Sequence, residues 1–332
     1  MEGSECMKRE LNARESRYYV MIGNVGMTMC AFLILFHGGA RLMELFYAFF
    51  APMPISDIAY NVICDLLYGA YYLLAFMLPV LLLKILTKRQ GSVYRSMYAE
   101  ARVSPYLPLL ILATVFCIRA TSYVNFAWVS IFDYSNQTLP WLGSHEIEPY
   151  RIVLDFILTC IIPGFCEEFL FRGAILTNLL PFGRTHAILI SAILFALMHQ
   201  SADQLLYTFV AGLLLGLVYE TTGSIWNCIA VHIVNNLFSL IDGVIVSNFY
   251  SRSSVLLPLW EGSLCLLGAL SIGALICFYN RNKKTADDGF FGKDLPACGS
   301  YASCPVSQSR SVRLFFAPAM IGYLVLTVIT YF

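Results

Sequence analysis

Apolar residues in this chain gather in runs much longer than a strand or a surface helix needs, and the polar residues fall mainly between those runs. A helix crossing about 30 Å of hydrocarbon takes roughly twenty apolar residues. On that criterion residues 19–36, 58–83, 106–118 (continuing toward 132), 152–171, 187–199, 204–219, 225–245, 255–279 and 314–332 read as eight or nine membrane helices. The run 187–199 is short, so it either stops within the bilayer or is lengthened by polar residues. In lipid every backbone polar group must find its partner inside the spanning segment, which favours helices here. The expected fold is therefore all-α, a polytopic transmembrane helix bundle. The stretch "AFLILFHGG" has the character of a signal-peptide core, but a polar stretch precedes it and further spans follow, so a retained helix is expected.

Composition points the same way. Hydrophobic residues make up 58% of the chain and charged residues 13%, with a mean hydropathy of +0.70; a soluble domain carries about a quarter charged residues. The net charge is zero and no basic stripe exists, which argues against a nucleic-acid partner. The placement of Lys and Arg orients the spans. Lys8, Arg9, Arg14 and Arg17 precede the first span, Lys84, Lys88, Arg89, Arg95 and Arg102 follow the second, and Arg281, Lys283, Lys284 and Lys293 follow the eighth. The loop before the fourth span carries Asp133, Glu146 and Glu148 instead. The expectation is a multi-pass protein of the cell (plasma) membrane with its N-terminus cytosolic. Residues 1–17 then form a cytosolic tail, 18–150 accessory helices, 151–245 a functional core, and 246–332 C-terminal helices with a flexible polar loop at about 280–312. The eleven cysteines include no CxxC pair. Cys298 and Cys304, close together in the polar loop, read as free thiols rather than a metal or disulfide site.

The charges that change the picture lie inside apolar runs, where burying each costs a few kcal/mol or more. "CEEFLFRG" puts Glu167, Glu168 and Arg172 within the fourth run. Of the five histidines, His199 and His232 lie in or at the end of apolar runs, and Asn236 follows His232 by one helical turn. At 1.5 Å per residue, Glu167 sits about 24 Å from Arg151, His232 about 10 Å from the cytosolic end of its helix, and His199 and Asn236 near 18 Å from theirs. Those depths allow one cluster in the cytosolic half of the bilayer. Glu168 and Arg172, four apart, share a helix face and can pair, while Glu167 points about 100° away. Pro163 and Gly164 precede the glutamates, so a local kink that admits water is expected. Amide hydrolysis needs a base to activate water and donors to hold the oxyanion. Glu167 with His199 suits the first role, and His232 with Asn236 the second. Asp65 and Arg119 are left over and read as packing residues; Asp155, four residues after Arg151, reads as support for a helix end.

"EEFLFR" (Glu167 to Arg172), "FALMH" (Phe195 to His199) and "HIVNN" (His232 to Asn236) resemble the EExxxR, FxxxH and HxxxN/D motifs of the CPBP family. These are the CAAX-protease and bacteriocin-processing intramembrane endopeptidases, also called the Abi family. The resemblance covers roughly residues 151–242. It implies a helical membrane protease in which Glu167 and His199 activate water, His232 and Asn236 hold the oxyanion, and Glu168 and Arg172 support the site. It leaves the metal open. Glu167, His199 and His232 are the candidate ligands for zinc, yet no HExxH is present, and a metal-free glutamate mechanism is the alternative. The implied partners are the lipid bilayer and a membrane-associated peptide or protein substrate, cleaved in CAAX processing or in leader-peptide or pheromone maturation. Two other functions compete: a non-catalytic bacteriocin immunity or scaffold protein, and a transporter whose charges line a path.

Overall fold

The computed structural model describes residues 2–87, 103–131, 148–201, 204–282 and 315–331. Cys298, Cys304, His145 and most of the polar loop at 280–312 lie outside the described residues. The described chain is helical throughout, with no strand. In order the helices are α1 (Glu2–Phe50), α2 (Asp57–Thr87), α3 (Leu107–Ile131), α4 (Pro149–Asp155), α5 (Ile162–Glu168), α6 (Thr177–Leu179), α7 (Arg184–Met198), α8 (Leu205–Thr222), α9 (Ile225–Asn248), α10 (Tyr250–Asn282) and α11 (Pro318–Tyr331). The stretches Phe156–Ile161 and Phe169–Leu176 are π-helical, and Leu180–Phe182 is one 3₁₀ turn. Among the described residues six segments are long and apolar enough to cross a membrane: Asn12–Phe50, Asp57–Thr87, Leu107–Asn125, Leu205–Thr222, Ile225–Asn248 and Ser251–Arg281. Arg184–Met198 and Pro318–Thr330 are shorter apolar helices. The architecture is an all-α, polytopic membrane fold. The fourth predicted span differs most from expectation: residues 149–182 form a run of short α, π and 3₁₀ pieces instead of one regular helix.

The chain divides into two compact units. The first comprises Met1–Ser96, Phe169–Ser191 and Pro296–Phe332. Here α1 packs on α2 and α11. Its fully buried positions Tyr18, Ile22, Val25, Met29 and Phe32 alternate steps of four and three, the spacing of a coiled-coil seam. Tyr72, Phe76 and Leu83 of α2 and Met320, Tyr323 and Thr327 of α11 are buried with the same kind of spacing. Phe32 and Phe76 pack across the α1–α2 seam with ring centroids 4.8 Å apart and planes tilted at 59°. Two polar ties fasten the start of α1: Arg14 Nη2 donates to the Pro181 carbonyl at 2.9 Å, and Tyr18 Oη bonds His186 Nε2.

The second unit comprises Met97–Glu168 and Ala192–Leu295. α3 packs on α8 and α10, and α9 contacts α3, α5, α8, α10 and the Phe156–Ile161 turn. Gly212 of α8 lies against Ala192, where a Cβ would come within 2.9 Å of the Ala192 Cα; the glycine is what allows this approach. Only 17% of the apolar window of α9, and 17% of that of α10, is buried. Large apolar side chains such as Leu259, Leu266 and Leu270 are exposed. In water such surface would drive aggregation; in a bilayer it is the face that meets lipid.

Candidate active site

The site is built on residues 149–168 of the irregular helix and on α9, both within the second unit. Pro163 has no N–H, so it cannot donate to the carbonyl four residues back, which is that of Thr159. That carbonyl is satisfied from another helix: Asn236 Nδ2 donates to Thr159 O at 2.9 Å. The preceding turn is wound wide, with Ile162 N–H reaching back to the Ile157 carbonyl in the i→i−5 pattern. Such π turns inside α-helices recur at functional sites because they re-aim the residues that follow. Gly164 then brings α5 against α9, since a Cβ there would stand 2.5 Å from Ile233 Cγ1. The expected opening at Pro163–Gly164 is thus filled by Ile233, and both residues are buried.

One turn later the two glutamates meet the residue next to Ile233. His232 Nδ1 lies 2.8 Å from Glu168 Oε1, and His232 Nε2 lies 3.9 Å from Glu167 Oε2. Glu168 is wholly buried, and Glu167 and His232 are only 5% and 6% exposed, so the charge they carry is held away from bulk water. One imidazole therefore lies between two successive carboxylates. Its Nδ1 is held by Glu168, and its Nε2 faces Glu167 across a gap longer than a hydrogen bond. Asn235 Nδ2 donates to Asn236 Oδ1 at 3.2 Å, which matches the amide orientation that turns Asn236 Nδ2 toward Thr159.

His199 stands just past the end of α7. Its Nδ1 lies 2.8 Å from the Phe195 carbonyl. A carbonyl only accepts, so Nδ1 carries the proton, and in the neutral ring Nε2 is the basic nitrogen. The Phe195 ring packs edge-on against both histidines, 5.0 Å from His199 and 6.1 Å from His232. An apolar cavity of about 550 Å³, lined by Ile193, Ala196, Leu197, Leu205, Leu206 and Phe209, flanks the turn that carries His199. Arg172 belongs to the first unit, fully buried in the π stretch Phe169–Leu176, where its carbonyl accepts from Thr177 Oγ1 at 2.8 Å.

Residues 149–238 match the family model "Type II CAAX prenyl endopeptidase Rce1-like". This segment is of the CPBP/CAAX-protease family. No curated protein and no solved structure matches the chain. The CAAX-protease segment contains Glu167, Glu168, Arg172, His199, His232 and Asn236, and the family is one of membrane endopeptidases. The family match and the long apolar helices together indicate an integral membrane protein.

Zinc was a candidate on Glu167, His199 and His232. Among the described residues no three His, Cys, Asp or Glu side chains are grouped to hold a metal ion. Both nitrogens of His232 face the carboxylates of the glutamate pair. The reading proposed for the site uses no metal.

Three features of the CAAX-protease segment escape the motifs. Thr159 contributes only a carbonyl, Gly164 only the absence of a side chain, and Asn235 a neighbouring amide. The signal for the first was Pro163, whose missing N–H implies an orphan acceptor four residues earlier.

Proposed function

We propose that this protein is an intramembrane endopeptidase that cleaves a peptide bond in a membrane-associated peptide or protein. The observation that carries this reading is the buried Glu168–His232–Glu167 arrangement, inside the segment that matches the CAAX-protease family. Hydrolysis starts with Glu167 as base: it takes a proton from water as that water attacks the scissile carbonyl. His199, with Nδ1–H tied to Phe195, offers Nε2 as a second acceptor that orients the same water. The developing oxyanion is met by His232 Nε2–H and by the second N–H of Asn236 Nδ2. For Nε2 to donate while Nδ1 bonds Glu168, the Glu168–His232 pair must hold two protons; the Glu168 carboxylate stabilises the imidazolium that results. Glu167 then returns its proton to the leaving amine. Glu168 and Arg172 take the supporting roles that the family motif implies. The apolar cavity beside His199 suits an apolar portion of the substrate.

We place the N-terminus in the cytosol and the protein in the plasma membrane, on the distribution of Lys and Arg. The test is cleavage of a tagged membrane peptide by the purified chain in lipid. Glu167→Gln abolishes cleavage if the reading is right. Unchanged cleavage by that variant overturns it, and substrate movement into liposomes without cleavage favours a transporter.

A further inference from the structure

α9 carries His232 and Asn236, and its burial is confined to its first turns, Ile225 to His232. Beyond His232 no residue of α9 is buried. In lipid an apolar face has nearly the same surroundings on every side, so burial does not choose the depth or rotation of such a helix. Beyond the buried start of the helix, directional polar bonds take that part. Two lie at the site itself, His232 to Glu168 and Asn236 to Thr159.

At the start of α9, Asn227 Oδ1 accepts from Ser104 N–H and Cys228 Sγ donates to the Leu215 carbonyl; a further tie lies ten residues beyond His232, about 15 Å along the axis. There Asp242 Oδ2 accepts from Arg119 Nη1 at 2.7 Å, and Asp242 Oδ1 accepts from Trp260 Nε1 at 2.9 Å. The same Arg119 nitrogen bonds Glu261. Arg119 on α3 thus joins α9 to α10, with the Arg119 and Glu261 side chains only 13% and 16% exposed. Phe238 of α9 packs edge-on against the Trp260 ring at 5.3 Å. On a regular helix Asp242 projects about 80° away from His232, so this anchor pulls from a different side. Bonds separated both along α9 and around it restrain sliding and rotation together. A guanidinium suits the task because its fork of N–H donors can serve carboxylates on two helices at once. None of Arg119, Asp242 and Glu261 lies in the segment matching the CAAX-protease family.

We propose that Arg119 is a positioning residue of the hydrolytic site, acting through Asp242 and Glu261 to hold α9 where His232 meets Glu168. The kinetic part of this inference rests on the protease reading; the structural part does not. The experiment measures acylation of individual histidines by diethyl pyrocarbonate, read by peptide mass spectrometry on the full chain in lipid nanodiscs, beside cleavage kinetics. In Arg119→Met, acylation of His232 rises several-fold over wild type, while that of His186, bonded to Tyr18 in the other unit, is unchanged. kcat falls by about 100-fold with KM little changed, the size expected when reacting groups are displaced by an ångström, and Arg119→Lys recovers part of it. Because Arg119→Met leaves two carboxylates without their cation and is at risk of misfolding, the neutral triple variant R119M/D242N/E261Q is the second arm. It folds, and it still exposes His232 and lowers kcat. A triple variant with His232 as protected as in wild type and with wild-type kcat overturns the proposal. If wild type cleaves nothing while His232 still responds to the Arg119 variants, the protease reading fails and the positioning of α9 by Arg119 stands.

Discussion

α9 carries two polar clusters of opposite design, the first buried and the second half-buried. Near its start, His232 meets Glu168 and faces Glu167, a titratable ring among carboxylates. Farther along, Asp242 meets Arg119, which also holds Glu261, so a permanent cation sits between two carboxylates. A guanidinium stays charged at any working pH, which makes the Arg119 cluster a fixed brace. Imidazole gains and loses a proton under ordinary conditions, which makes the His232 cluster able to pass one on. On the proposed reading, the difference teaches where chemistry belongs on this helix: Glu167 moves the proton at the first cluster, and geometry is held at the other.

Breaking the first cluster should have the largest effect. Glu167→Gln keeps size and most hydrogen-bonding capacity but removes the base, so cleavage falls by at least about 100-fold, as measured by product release from a tagged membrane peptide. Thermal unfolding of the same variant stays close to wild type, which separates lost chemistry from lost structure. Glu168→Ala removes the acceptor at His232 Nδ1, and cleavage falls with it. Glu168→Gln, which still offers an Oε1 acceptor, retains more activity than the alanine variant; equal loss in both would show that the negative charge is what matters.

Smaller effects come from the joint between α5 and α9. Gly164→Ala pushes a methyl group into Ile233, an overpacking that costs about 1–3 kcal/mol. Pairing it with Ile233→Ala restores part of the thermal stability if that contact is the cause. Asn236→Ala leaves the Thr159 carbonyl without its cross-helix donor, at a cost of about 1–3 kcal/mol. Its cleavage also falls if, as proposed, the amide that caps Thr159 also donates to the oxyanion. In Pro163→Ala the backbone regains an N–H for Thr159, so the stability lost in Asn236→Ala should shrink in the double variant.

Much of this protein is legible in its sequence. The runs at 58–83 and 225–245 anticipate α2 and α9 to within a few residues, because only a helix satisfies backbone groups in lipid. Glu167, Glu168, His199, His232 and Asn236 could be found by looking for polar groups where lipid makes them costly. Arg119 was visible for the same reason, but its role was not: Asp242 and Glu261 lie 123 and 142 residues away in sequence, and no local spacing links them. The broken helix at 149–182 was also hidden, since apolar content does not distinguish an α turn from a π turn.

By itself, then, the order of residues determined which segments are apolar enough to enter a membrane and which side chains within them are costly to place there. Both follow from transfer between water and hydrocarbon, a property each residue carries with it. Only the tertiary structure decided the pairings: that His232 lies between Glu168 and Glu167, that Asn236 replaces the donor missing at Pro163, and that Arg119 braces Asp242 and Glu261. Those depend on distances and angles between helices far apart in sequence, where a shift of one turn exchanges every partner.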